Sequence, residues 1–161
     1  MNTDTDHIHH ITPSNHWALS LAVFMLIAIT VLAVEATTGL IGTDHYYLAH
    51  GLFGLGFPFL WHAITHAGEP GQPLHEDVLR PQWRYLHPGL AAGLDRTMAF
   101  IKDFRTALMV TAIWHFGNEL WEDQLTRSAY RVDMDHLIAG VVGMALAWWL
   151  YRALAARLPG F

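Results

Sequence analysis

The chain has 161 residues, 53% of them hydrophobic and only 14% charged, with a net charge of −5, 12 His and no Cys. The negative balance and the lack of a basic stripe exclude a nucleic-acid binder, and the apolar content excludes a disordered chain. Absence of Cys removes disulfides, thiolate zinc sites, iron–sulfur clusters and thiol catalysis together.

Residues 1–15 form a polar leader rich in His and Asp, including His7, His9 and His10. The run 17–34 then carries no charged residue over 18 positions, and about 20 apolar residues suffice to cross a bilayer. A cleaved signal peptide is the competing reading, and it fails because residues 1–10 contain no Lys or Arg. Four spans are expected, over about 17–38, 44–66, 99–121 and 136–157. The third is the most polar, with Lys102, Asp103 and Arg105 at its start. The fourth closes on Trp148, Trp149, Tyr151 and Arg152, a set suited to an interface. Between the second and third lies a long loop, 68–98, with Pro70, Pro73, Pro81 and Pro88. Its stretch 74–86 mixes Trp83 and Tyr85 with Arg80 and Arg84 and reads either as an interfacial helix or as irregular loop. The fold class is therefore all-α: a single polytopic membrane four-helix bundle over 16–158, in up-down topology.

Basic residues set the orientation. Arg80, Arg84, Arg96, Lys102, Arg105, Arg152 and Arg157 fall on one side, against Arg127 and Arg131 on the other. Seven against two places both termini in the cytoplasm, in an inner-membrane protein whose first partner is the lipid bilayer.

This topology gathers polar groups at the outer end: Glu35, Asp44 and His45, His50, His115 with Glu119, Glu122 and Asp123, and Asp133, Asp135 and His136. His115 and Glu119 are four apart and share a helix face; Asp133 and His136 are three apart. Ionisable groups inside a span are expensive and point to function. Crowded carboxylates in low dielectric need protons or a cation. The candidate metal ligands are His50, His115, Glu119, Glu122 and His136, with Glu119 as candidate catalytic residue. Asp44, Glu122, Asp123 and Asp133 also suit solvated helix ends, and a structural hydrogen-bond network explains the deeper groups equally. An ion-pair network with Arg127 and Arg131 is the main rival to a metal.

At the inner end His62 and His66 are four apart, with His16 on the first span and Trp17 and Trp61 nearby. They read as a weak metal pair or as interfacial imidazoles. Gly51, Gly54, Gly56 and Pro58 in the second span serve either close helix packing or a broken helix lining a cavity.

The segments Glu119-Leu120-Trp121-Glu122 and Asp133-Met134-Asp135-His136, followed by Gly140 and Gly143, resemble motifs of VanZ-like and YjdF-like small membrane proteins. Leu48-Ala49-His50-Gly51, with Asp44 upstream, is similar to a third segment of those families. The resemblance implies a small helical bundle with polar groups at one membrane face.

Three function classes follow. One is a membrane metalloprotein acting on a lipid-soluble substrate; carboxylates with imidazoles suit Zn, Fe or Mn. The second is a haem b or pigment protein, with His50 and His115 on an outer haem and His62 or His66 with His16 on an inner one. The third is a non-catalytic subunit of a larger membrane complex or a homo-oligomer. A proton or metal transporter also stays open.

Overall fold

The computed structural model describes residues 16–43, 45–67, 87–122, 125, 130 and 132–158. Among them the chain is helical, with no strand. The helices are α1 (His16–Thr38), α2 (Leu40–Thr43), α3 (Tyr47–His66), α4 (Pro88–Lys102), α5 (Phe104–Gly117) and α6 (Met134–Ala155). A π-helical turn, Asn118–Glu122, follows α5. The all-α expectation holds. Two helical segments, Trp17–Thr38 and Met134–Ala155, are long and apolar enough to cross a membrane.

The first of these is apolar around its whole circumference. Leu26 and Leu32 are each 68% exposed, so most of that apolar surface faces outward. The hydroxyls of Thr30, Thr37 and Thr38 donate back to carbonyls four residues earlier, each at 2.7 Å, so they are satisfied without water. α1 ends at Gly39, which takes a left-handed φ of +60°. Here Glu35 departs from the expected polar cluster. Its carboxylate accepts from the N–H groups of Ile41 at 2.8 Å and Gly42 at 3.2 Å, at the start of α2. A negative side chain at a helix start satisfies donors the helix itself leaves over.

α3 is the centre of the packing and touches α1, α5 and α6. Its glycines explain the closest of these contacts. A Cβ on Gly54 would run into the carbonyl oxygen of Gly140, and one on Gly143 into that of Gly51. The α3 and α6 backbones thus meet directly, as small residues allow. α3 runs unbroken through Pro58, so the glycines serve packing and not a broken helix. Toward the opposite end, Phe59, Phe104 and Ala147 form the fully buried apolar core, with Tyr151 stacked on Phe104 at 4.0 Å and 6°.

The third expected span is not one helix. Residues 88–102, expected partly as loop, form α4, which starts on Pro88, a residue preorganised for the first helical position. His87 Nδ1 accepts from the Gly89 N–H there, and no residue of α4 is buried. The helix stops at Asp103, whose backbone is extended at φ −63° and ψ 131°. Asp103 Oδ1 accepts from the Arg105 N–H at 2.8 Å and so caps α5. Trp61 Nε1 donates to the Ile101 carbonyl at 3.2 Å, which ties the end of α4 to α3. The leader 1–15, the segment 74–86, Asp44, Asp123, Arg127 and Arg131 lie outside the described residues.

Candidate metal centre

Glu119 stands in the π-helical turn after α5, an insertion of the kind that often marks functional sites. Its side chain is fully buried. Oε1 accepts from the backbone N–H of Asp133 at 2.9 Å, and Oε2 lies 3.3 Å from His136 Nδ1 on the first turn of α6. One carboxylate therefore fixes the start of α6 against the end of α5.

His136 carries the contact onward. Its ring stacks on that of His50 from α3, with centroids 4.4 Å apart and planes at 16°. Tyr46 places its ring edge against both, at 5.4 Å from His50 and 5.6 Å from His136. His50 Nδ1 in turn lies 3.4 Å from His115 Nδ1 on α5, so one imidazole donates and the other accepts. His115 is 1% exposed, and its ring edge packs against Gly140, where a Cβ would collide with Nε2.

Of the expected ligands, His50, Glu119 and His136 come together. One ligand atom from each lies within 4.8 Å of the others. This group could hold a metal ion. Two nitrogens and a carboxylate oxygen match a three-ligand zinc set with an open fourth position. Tetrahedral ligands at about 2.1 Å from an ion stand about 3.4 Å apart; Glu119 Oε2 and His136 Nδ1 are already 3.3 Å apart, and the separations to His50, within 4.8 Å, are the ones that must close. His115 falls outside this trio and touches it through His50. The side chain of Glu122 lies outside the described residues.

Beside the trio an open cleft of about 310 Å³ is lined by Tyr46, Ala49, His50, Phe53, Trp114, His115 and Asn118. The sequence reading missed these walls, although Phe53 and Phe57 lie four apart on α3. In the fold Phe57 stacks on both Phe53 and Trp114.

The haem arrangement does not fit. Paired axial imidazoles stand on opposite faces of a macrocycle. Here the His50 and His115 rings touch, with centroids 5.2 Å apart, and the α3 and α6 backbones meet directly at Gly54 and Gly143, leaving no space for a macrocycle between them. At the other end His62 is 2% exposed and its Nδ1 lies 2.8 Å from Ser20 Oγ, a partner the sequence reading did not single out. Phe104, Tyr151 and His66 enclose its ring, and His66 Nδ1 is 2.8 Å from the His62 carbonyl oxygen. That end is a packed helix–helix contact, and the side chain of His16 lies outside the described residues.

No family model, curated protein or solved structure matches this chain.

Proposed function

We propose that the chain is a multi-pass inner-membrane protein that holds a divalent metal ion, Zn, Fe or Mn, with His50, Glu119 and His136, at the outer end of a bundle whose termini are cytoplasmic. The observation that carries this reading is the fully buried Glu119 carboxylate, facing two imidazoles from two other helices. A carboxylate between two imidazoles is a donor set that suits such an ion, which would polarise a water or substrate oxygen there. His115 holds His50 from behind, as outer partners orient ligating imidazoles.

The cleft beside His50 and His115 gives a route to the ion for a substrate approaching from the bilayer. Its aromatic walls suit a lipid-soluble molecule with a flat or unsaturated head. The outward apolar faces of α1 and α6 support the membrane setting, and the seven-to-two basic asymmetry supports the orientation. The VanZ-like and YjdF-like resemblance is part of the same proposal.

The test is equilibrium binding of Zn, Mn and Fe(II) to metal-stripped protein in detergent. One saturable site is expected, lost in Glu119→Gln and in His136→Ala. Equal binding by those variants, with fold retained, would assign the cluster to helix packing alone.

A further inference from the structure

At the end of the bundle opposite Glu119, the start of α5 and the end of α6 line a second open cleft, of about 530 Å³. It is lined by Asp103, Arg105, Trp148, Tyr151, Arg152, Ala155 and Ala156. Arg105 and Arg152 come from different helices, yet both guanidiniums lie over one ring: their Cζ atoms are 5.9 Å and 5.7 Å from the Trp148 centroid. Two positive charges thus stand within 5.9 Å of one ring, each with cation–π attraction to it. Among the described residues neither guanidinium forms an ion pair with a carboxylate. Asp103, the one acid lining the cleft, already accepts from the Arg105 backbone N–H at the start of α5. The lining carries two positive charges against one negative.

We propose that this cleft binds a phosphate group. Planar guanidinium forks match phosphate oxygens in pairs, which a point charge cannot do. The aromatic floor gives the ligand an apolar side to rest on. Two sources fit the chemistry. An anionic phospholipid headgroup would enter from the bilayer, where basic pockets at the cytoplasmic face take such headgroups. A free phosphate would enter from water. Only the lipid source rests on the membrane reading above.

Native mass spectrometry of the full chain in detergent, with phosphatidylglycerol against phosphatidylcholine, tests the site. Wild type is expected to retain phosphatidylglycerol selectively, and R105Q/R152Q to lose about tenfold or more, the size of a charge-assisted contact. R96Q, at an exposed position on α4 outside the lining of the cleft, is expected to retain the lipid as wild type does. If the double variant does not fold, R105Q and R152Q alone carry the test, each weakening retention several-fold. A parallel titration with inorganic phosphate separates the sources. Displacement of the lipid by millimolar phosphate shows that the phosphate group suffices; resistance shows that the rest of the lipid is held too. Undiminished retention in the arginine variants, or binding of neither probe by wild type, overturns the proposal.

Discussion

Glu119 Oε2 lies 3.3 Å from His136 Nδ1, across 17 residues of sequence and between two helices, while the other carboxylate oxygen takes the Asp133 N–H. A side chain that does both joins the fold to the site. Glu119→Ala removes the acceptor of a part-buried hydrogen bond and is expected to cost about 0.5–1.5 kcal/mol. Glu119→Gln keeps a carbonyl for the Asp133 N–H and is expected to cost less while still abolishing metal binding. Thermal unfolding in detergent, beside metal content, separates the two effects. Equal melting temperatures for wild type and Glu119→Ala would contradict this role.

Gly140 is the second test, because its missing side chain is what admits His115. A Cβ there would meet the imidazole edge at Nε2 and push the ring off His50. Gly140→Ala is expected to destabilise the protein by about 1–3 kcal/mol, the usual cost of overpacking, and to weaken metal binding. Gly93→Ala is the control. Nothing lies within 4 Å of a Cβ at that position on α4, so a gain of about 0.5–1 kcal/mol from helix propensity is expected. Urea or thermal unfolding of the two variants reads both signs.

Ser20 and His62 probe the other end. Ser20→Ala removes a buried 2.8 Å contact and is expected to cost about 0.5–2 kcal/mol with metal content unchanged. Metal content is expected to persist in His62→Ala as well. Loss of metal in His62→Ala, with retention in His136→Ala, would place the ion at the wrong end of the bundle for this account.

Protons and metal ions compete for imidazole nitrogens. Two imidazoles must be neutral to ligate, so metal retention is expected to fall as acid is added. Dialysis at stepped pH followed by metal analysis reads this directly. Retention that does not change with pH while the fold persists would argue against imidazole ligands.

α1, α3 and α6 were legible because long uncharged runs leave few alternatives, and their observed ends fall within a few residues of the expected ones. The third expected span divides into two helices because cap residues, not apolar content, set the helix boundaries there. Asp103 and Pro88 are helix-start signals in their own right, and together they divide 88–117 into two helices. At the site, helical spacing brought out His115 and Glu119, and their shared inward face follows from it. The division of labour between the histidines was not legible. It depends on the π-helical turn that carries Glu119, on the stacking of His136 over His50 and on the ring-to-backbone contact at Gly140. Glu35 was misassigned because a carboxylate near a helix end looks the same whether it caps the next turn or faces the bundle.

Elemental analysis of detergent-purified protein, prepared without chelator and monodisperse, tests the central claim most directly. About one equivalent of Zn, Fe or Mn per chain is expected, absent from Glu119→Gln. Less than about a tenth of an equivalent in wild type would contradict a tightly held ion, since structural and catalytic sites of this kind keep their metal through purification.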